Sequence, residues 1–350
     1  METVTVHASS SYNVLIGDGL LQRAASYLSP IIQNGAVTIV SDDTVYALYG
    51  DTLQTQLTAS GNKVFSFVFP NGEHSKTAET YIALLNFLAE NMMGRTDTIV
   101  ALGGGVVGDL AGFAAATYMR GIKVVQMPTT LLAAVDSSVG GKTGIDLQAG
   151  KNLAGAFYQP SLVLCDYRLF DTLEPAVYAS GMGEVIKHAI LNGGELKTLL
   201  HQPVKPNLET LVKLNVQIKR DIVEADEREA GKRKLLNLGH TIGHAVETLS
   251  QYSLSHGQSV AIGTCLTARI CARQGVCSQA VADEIVRLFE LHGLPTETGF
   301  TAKQIADTAR MDKKRQTNTI TWVWIEDFGR CLLKDVAMDD YEQLVSLGLP

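Results

Sequence analysis

Histidine and carboxylate side chains at metal-ligand spacing occur in the second half of the sequence. His240 and His244 are four residues apart, so a helix would place both imidazoles on one face. His256 adds a third imidazole and Glu184 a carboxylate, and catalytic zinc takes three such ligands while keeping a position open. No glutamate follows His240, so the H-E-x-x-H pattern of a zinc protease is not present. The residue types leave five candidate ligands open: Glu184, His188, His240, His244 and His256.

A glycine loop in the first half has the chemistry of an anion-binding turn. The apolar run 98–102 is followed by Gly103, Gly104 and Gly105 and then by a helix-like segment. Glycines at such a junction let backbone N–H groups approach a pyrophosphate, whose charge a helix N-terminus favours. The loop predicts a nucleotide-type site without predicting a standard dinucleotide-binding fold.

A second glycine-rich stretch, residues 136–144, ends like a phosphate-binding P-loop. Asp136 stands where the first glycine of G-x-x-x-x-G-K-[ST] is required, so we do not expect a nucleoside triphosphatase. Lys142 lies within the stretch, and Lys151 and Asn152 follow it. We interpret these three side chains as contacts to an anion or to hydroxyl groups.

The elements that must position these residues differ between the two halves of the chain. In the first half, short β-branched or alternating runs surround a helical pattern: strands are predicted at 37–40, 63–69, 98–102 and 123–127, and a helix at 78–92. This alternation predicts an α/β domain with a mostly parallel sheet and a glycine-rich loop. Ligands of such sheets bind outside the carboxyl ends of the strands.

The second half has a mostly helical pattern. Helices are predicted at 176–191, 208–225, 241–249, 258–274 and 280–292, and a late β-hairpin at 319–325 and 329–333. We therefore predict two domains, an α/β domain over residues 1–170 and a mostly α-helical domain over residues 171–350. A cleft between such domains is a usual place for a ligand.

The composition excludes several classes of protein. Apolar residues make up 46% of the chain and charged residues 19%, which is typical of a globular protein. A net charge of −7 argues against nucleic acid as a partner, and no apolar run is long enough to cross a bilayer. The N-terminus lacks the pattern of a secretory signal, and the five cysteines form no C-x-x-C pair, so we expect a cytoplasmic protein without disulfides.

Ordered motifs along nearly the whole chain resemble the dehydroquinate synthase family of sugar-phosphate cyclases. They occupy Gly72–Lys76, Gly103–Asp109, Pro128–Ala133, Asp136–Lys142, Gly181–Lys187, Lys219–Glu247, His256–Gly257 and Asp312–Lys314. The resemblance implies NAD and one divalent metal, zinc or cobalt, as cofactors. It also implies conversion of 3-deoxy-D-arabino-heptulosonate 7-phosphate to 3-dehydroquinate and phosphate, through transient oxidation, phosphate elimination, re-reduction and an intramolecular aldol reaction.

The resemblance also implies roles for individual residues. The metal ligands would be Glu184, His240 and His256. The NAD contacts would be Asp42, Glu73, Lys76, Gly104, Gly105, Val106, Asp109, Thr129, Thr130, Lys142, Lys151 and Thr172, with Asp42 on the adenosine ribose. The catalytic and substrate-contacting residues would be Asp136, Lys142, Lys187, Lys219, Glu229, Arg233, Asn237 and His244. The substrate phosphate would be held by Arg120, Lys142, Asn152 and Lys314, with Arg120 reaching a neighbouring subunit in a homodimer.

Three alternatives share some of these features. Another sugar-phosphate cyclase would act on a substrate without the carboxylate, which would leave Arg233 and Lys219 nothing to bind. A metal-dependent polyol dehydrogenase would release NADH instead of returning its hydride. A non-catalytic NAD-binding protein is disfavoured because Glu184, Lys187 and the three clustered histidines are all present.

Overall fold

The computed structural model describes residues 1–33, 35–313 and 318–350. They form two compact units. The first unit comprises Met1–Leu173 with Lys219–Glu227, and the second comprises Glu174–Ile218 with Arg228–Pro350. The sequence-based division into domains 1–170 and 171–350 stays a prediction.

The first unit is built on a mostly parallel sheet. Within the described residues it has seven strands in the order β1-β2-β9-β6-β5-β3-β4, and only the β1–β2 pair is antiparallel. A separate antiparallel hairpin consists of β7 and β8. The strands are β1 (Glu2–His7), β2 (Ser11–Gly17), β3 (Val37–Asp42), β4 (Val64–Phe69), β5 (Thr98–Gly103), β6 (Lys123–Pro128), β7 (Lys142–Leu147), β8 (Gly150–Phe157) and β9 (Leu162–Asp166).

Helices cover both faces of this sheet. They are α1 (Ala24–Ile32), α2 (Asp43–Val45), α3 (Asp51–Ala59), α4 (Ala78–Glu90) and α5 (Gly105–Thr117). Leu28 and Leu53 pack in one buried cluster with Ile39, whereas Leu84 and Leu110 belong to another cluster with the next strand residue, Val40. Successive strand residues point to opposite faces, so β3 contributes to both cores. Every residue of β3 and of β5 is buried, as expected for central parallel strands.

The second unit is mostly helical, which confirms the predicted fold class together with the parallel sheet. Its elements are α6 (Pro175–Asn192), α7 (Gly194–Leu199), α8 (Leu208–Ala225), α9 (His240–Leu249), α10 (His256–Arg273), α11 (Gln279–Leu291), α12 (Ala302–Lys313), β10 (Thr319–Asp327), β11 (Arg330–Ala337) and α13 (Tyr341–Ser346). Residues 219–225 of α8 belong to the first unit. No helix within the described ranges has both the length and the apolar character needed to cross a membrane.

Glycines bring α6, α9 and α10 into backbone contact. A Cβ atom on Gly183 of α6 would lie 2.6 Å from the carbonyl oxygen of Gly257, and one on Gly257 would overlap the carbonyl oxygen of Ser180. Gly239, at the start of α9, has φ +75° and would overlap the side chain of Thr264 in α10. These positions have no room for a side chain, and Gly239 also needs a left-handed backbone conformation.

We expect Gly257→Ala to destabilise the second unit. The added methyl group meets backbone atoms of α6 that cannot rotate away, so the free energy of unfolding should fall by about 1–3 kcal/mol. Denaturant unfolding followed by tryptophan fluorescence reports on this unit, because both tryptophans of the chain, Trp322 and Trp324, lie in β10. Gly299→Ala is the matched control, since no atom lies within 4 Å of its added Cβ. Equal effects of the two substitutions would contradict the packing argument.

Candidate active site

Three predicted metal ligands converge in the second unit. Glu184 lies in the middle of α6, and His240 and His256 are the first residues of α9 and α10. The Glu184 Oε1 atom is 3.7 Å from His240 Nε2 and 3.5 Å from His256 Nε2. One ligand atom from each of the three residues lies within 4.8 Å of the others. A carboxylate and two imidazoles facing one point are a usual donor set for a catalytic zinc ion.

The outer nitrogens of the two imidazoles face acceptors. His240 Nδ1 lies 3.1 Å from the carbonyl oxygen of Leu238, and His256 Nδ1 lies 3.7 Å from Glu247 Oε2. With a metal bound, a proton on each Nδ1 would face these acceptors and each Nε2 lone pair would be available to the ion. Carboxylate or carbonyl partners of this kind orient metal-binding histidines in many sites. The residues therefore fit a divalent metal.

Lys187 controls the electrostatics of this cluster. Its ammonium pairs with Glu184 Oε2, and both side chains are almost wholly buried. Burial alone would raise the pKa of Glu184, but Lys187 and the two imidazoles outweigh it, so that pKa lies well below its usual value. Burial and the Lys187 charge lower the pKa of His240, whereas contacts with Glu184 and Glu247 raise the pKa of His256 to about 9 despite its burial. The carboxylate is thus held ionised, as a metal ligand must be.

The other two candidate ligands have different surroundings. His188 is buried, and its Nδ1 lies 3.0 Å from Oδ1 of Asn215 in α8. His244 is exposed, and with Glu247 and His256 it forms a second group whose ligand atoms lie within 4.8 Å of one another. The assignment of the metal to Glu184, His240 and His256 stays a prediction, and the two groups share only His256.

Three further predicted residues of the second unit lie in and before the short 3-10 helix Lys232–Asn237. Arg233 is 1% exposed, and its guanidinium keeps its charge even when it is buried. Asn237 Nδ2 donates to Glu229 Oε1 at 2.8 Å, which fixes the orientation of the Asn237 amide. Glu229 has φ +60°, a conformation that a residue with a side chain adopts rarely and that often marks functional sites.

The predicted cofactor residues of the first unit gather at the carboxyl edge of its sheet. Asp42 ends β3, Gly104 and Gly105 follow β5, and Thr129 and Thr130 follow β6. After β3 the chain adds β4 on one side, then returns to place β5 on the other side of β3. Nucleotides bind at such a change in strand order, where two neighbouring loops diverge.

The glycine loop lies close to the segment after β6. A Cβ on Gly104 would lie 3.2 Å from Thr130 Cγ2, and one on Gly105 would lie 3.2 Å from Ser137 Oγ. Gly105 begins α5 and Val106 follows it, so the first N–H groups of that helix lie in this loop. Such groups have no partner within their own helix, and they can receive a phosphate.

Lys76 connects α5 with the β7–β8 hairpin. Its Nζ donates to Asp109 Oδ2 in α5 and to Asn152 Oδ1 in β8, both at 2.6 Å. Burial would lower the pKa of Lys76, but the carboxylates of Asp109 and Glu73 outweigh it and raise that pKa. Burial also raises the pKa of Asp109, against the effect of Lys76. Lys151 lies 3.6 Å from Glu73 on the more exposed side of this cluster.

The remaining predicted residues lie elsewhere in the first unit or outside the described residues. Lys219 Nζ donates to both the carbonyl oxygen and Oδ1 of Asp136 at 2.5 Å. Thr172 contacts the Tyr49 hydroxyl at 2.6 Å, and Lys142 is exposed at the start of β7. Arg120 lies in an exposed turn with φ +69°. Lys314 lies outside the described residues.

Sequence reasoning assigned no role to two residues that the structure places beside the predicted site residues. Glu247 faces His256, and a signal for it existed, because Glu247 is seven residues after His240 and therefore lies on the same face of α9. Asp146 accepts a hydrogen bond from the Asn152 backbone. No spacing rule indicates Asp146, since the contact depends on how the hairpin pairs.

Comparison with known proteins agrees with the whole-chain motifs. Residues 66–180 match the family described as 3-dehydroquinate synthase N-terminal, and residues 181–315 match 3-dehydroquinate synthase C-terminal. A 3-dehydroquinate synthase of Lactiplantibacillus plantarum is 44% identical over 335 residues, which cover 94% of this chain and 93% of the relative. The chain belongs to the 3-dehydroquinate synthase family. The resemblance inferred from the motifs is therefore confirmed.

Solved structures of related cyclases share the fold. A 2-deoxy-scyllo-inosose synthase in complex with carbaglucose-6-phosphate, NAD+ and Co2+ has a TM-score of 0.87 and 25% identity, covering 99% of this chain and all of that one. A 2-epi-5-epi-valiolone synthase from Streptomyces hygroscopicus with NAD+ and Zn2+ bound also has a TM-score of 0.87 and 25% identity, covering 98% of each chain. The fold class is thus that of sugar-phosphate cyclases.

We expect Lys76→Met to destabilise the protein by leaving the Asp109 carboxylate without its buried ammonium. Asp109 is 20% exposed, so the loss should be about 3 kcal/mol, the lower end of the range for a broken buried pair. The double variant Lys76→Met/Asp109→Asn should recover part of it, because no uncompensated charge remains. Both are measured by denaturant unfolding followed by circular dichroism.

The same loss should depend on pH. Without Lys76 the pKa of Asp109 rises further above its unfolded value, so protonation at lower pH removes the buried charge. The difference between Lys76→Met and the unchanged protein should therefore shrink as pH falls. Equal stability of the single and double variants at neutral pH would show that this pair is not what stabilises the region.

Proposed function

We propose that this chain converts 3-deoxy-D-arabino-heptulosonate 7-phosphate into 3-dehydroquinate and phosphate, as a lyase that uses NAD and one divalent metal. The observation that carries the proposal is the 44% identity with a 3-dehydroquinate synthase along 94% of the chain. Identity with the inosose and valiolone synthases is 25%, so the carboxylate-bearing substrate is favoured over a neutral sugar phosphate. The converging metal ligands support the same reading.

The metal would be held by the Glu184 carboxylate and by Nε2 of His240 and His256. When bound, the metal supplies a Lewis acid for substrate hydroxyl groups, and NAD supplies a reversible hydride acceptor. Leu238 and Glu247 orient the two imidazoles, and Lys187 keeps Glu184 ionised. The two solved cyclases named above contain Co2+ and Zn2+, so we infer one of these ions for this chain.

NAD would bind at the carboxyl edge of the first unit's sheet. The first N–H groups of α5 are suited to its pyrophosphate, and the glycines allow the close approach. Asp42 is suited to a ribose, because an acidic side chain at the end of a strand can accept hydrogen bonds from ribose hydroxyls. Glu73, Lys76, Asp109, Thr129, Thr130, Lys151 and Thr172 would complete the contacts.

The substrate carries a carboxylate and a phosphate, and each unit offers groups for anions. In the second unit, the buried guanidinium of Arg233 is suited to a carboxylate by bidentate pairing. In the first unit, Lys142 and Asn152 are assigned to the phosphate. Lys219 is held by Asp136 and offers a further ammonium.

Proton transfer is assigned to the His244 imidazole. His244 is exposed on α9, one turn after the metal ligand His240, and the ring centroids are 5.3 Å apart. An imidazole gains or loses a proton readily near neutral pH, which suits general acid–base work. Asn237, with its amide fixed by Glu229, is assigned to a substrate hydroxyl. A homodimer in which Arg120 contributes to the neighbouring site, and a cytoplasmic location, are further parts of this proposal.

The reaction itself is tested with the heptulosonate phosphate, NAD and Zn2+ or Co2+. Phosphate and 3-dehydroquinate should form in equal amounts without net absorbance from NADH, because the hydride is returned within each turnover. Glucose 6-phosphate, which lacks the carboxylate, is the matched control and should give no carbocycle. Phosphate release without a carbocyclic product, or accumulating NADH, would contradict the proposed function.

The metal assignment is tested by comparing His256→Ala with His244→Ala. His256→Ala removes a direct ligand of the metal. Its metal affinity should therefore fall by at least ~10–100-fold, which is the cost of losing a residue that only orients a ligand. His244→Ala should keep one metal ion per chain and lose about 10²–10⁴-fold in kcat. Metal content after dialysis against a chelator is measured by atomic absorption. A loss of metal from both variants would show that the second group, His244 with Glu247 and His256, holds the ion, and retention of metal in His256→Ala would contradict both groups.

A further inference from the structure

The β7–β8 hairpin contains a bulge at the predicted phosphate residue Asn152. Ile145 pairs with Ala154 and Leu147 pairs with Gly150, so a single residue of β7, Asp146, stands opposite three residues of β8. Asn152 is in the middle of these three and has φ +54°, in the left-handed region. Bulges of this kind redirect side chains and are common beside active sites. The bulge therefore determines where the Asn152 amide points.

Asp146 stabilises the backbone of this bulge from the opposite strand. Its Oδ1 atom accepts the backbone N–H of Asn152 at 2.7 Å, and its own N–H donates to the carbonyl oxygen of Lys76 at 2.8 Å. An asparagine in the left-handed region is less favoured than a glycine there, so an added hydrogen bond helps to keep it in place. Asp146 supplies that bond.

Lys76 fixes the orientation of the Asn152 amide. An ammonium can only donate, so the atom of Asn152 that lies 2.6 Å from Lys76 Nζ must be the carbonyl oxygen Oδ1. The amide NH2 group is then on the other side and presents donors only. Asn152 is exposed, so these donors are accessible to an anion. With the amide reversed, a carbonyl oxygen would face the anion and repel it.

We propose that Asp146 is a positioning residue for the substrate phosphate: it fixes the bulge in which Lys76 turns the NH2 group of Asn152 outward as a phosphate donor. The inference rests on the proposed function, in which Asn152 binds the substrate phosphate. It gives Lys76 a second task besides its assigned cofactor contact. The inference also gives a role to the Asp146 carboxylate, whose negative charge beside an anion site would by itself weaken phosphate binding.

The test uses the complete enzyme with NAD and metal, and inorganic phosphate as a competitive probe. Asp146→Ala should raise the inhibition constant of phosphate and the KM of the heptulosonate phosphate about fivefold, the usual effect of one hydrogen bond. The kcat value and the dissociation constant of NAD should change less than twofold. Asp146→Asn keeps an acceptor oxygen and should restore most of the affinity. Gln148→Ala, at an exposed position of the same turn, is the control and should change neither constant.

A second background separates positioning from general loosening of the hairpin. Asn152→Gly removes the amide and accepts the left-handed backbone without strain, so Asp146→Ala should have no further effect on phosphate affinity in that background. A further loss there, or an equal weakening of NAD binding, would overturn the proposal. Should Asp146→Ala fail to fold, Asp146→Glu, which displaces the carboxylate by one methylene, is measured in the same way and should also weaken phosphate binding.

The outcomes also separate this inference from the proposed function. If Asn152→Gly leaves the phosphate constant and KM unchanged, Asn152 does not bind the phosphate and that part of the proposed function fails. If Asn152→Gly weakens phosphate binding and Asp146→Ala does not, the proposed function stands and the positioning role of Asp146 is wrong.

Discussion

Backbone contact among three helices determines the geometry of the proposed metal site. Each proposed ligand stands next to a glycine at a helix contact: Gly183 before Glu184, Gly239 before His240 and Gly257 after His256. A side chain at any of these positions would push the helices apart, because its Cβ would lie less than 3.0 Å from backbone atoms of a neighbouring helix. The ligand atoms lie within 4.8 Å of one another, so the convergence of the donor set depends on this close packing. The glycines therefore allow both the close packing of the helices and the convergence of the ligand atoms.

The same close packing creates an electrostatic requirement. Glu184 is wholly buried, and a buried carboxylate is costly unless cations and hydrogen-bond donors surround it. Lys187, His240 and His256 supply that environment, and they lower the pKa of Glu184 well below its usual value. A buried ion pair is weak support for stability by itself. Here the Lys187–Glu184 pair keeps the carboxylate ionised at a position where it can bind a divalent metal.

Periodicity predicted the elements that carry the site better than it predicted their partners. The central strands β3, β5 and β6 and the helices α6 and α8–α11 agree with the sequence pattern, because buried strands and amphipathic helices leave a clear apolar signature. The spacing of His240 and His244 was likewise visible. Glu184 and His188 could not be told apart by spacing, since both lie on one face of α6. The structure separates their surroundings: one faces two imidazoles and the other faces Asn215.

One hydrogen-bond network in the first half of the chain joins residues that the family resemblance assigns to different ligands. Lys76 and Asp109 are assigned to NAD and Asn152 to the substrate phosphate, yet the Lys76 ammonium contacts both of the others at 2.6 Å. Substitutions within such a network do not have additive effects, because each changes the charge or orientation that its neighbours depend on. A change at Lys76 should therefore alter cofactor and phosphate affinity together. The proposed NAD contacts and phosphate contacts are therefore coupled through Lys76.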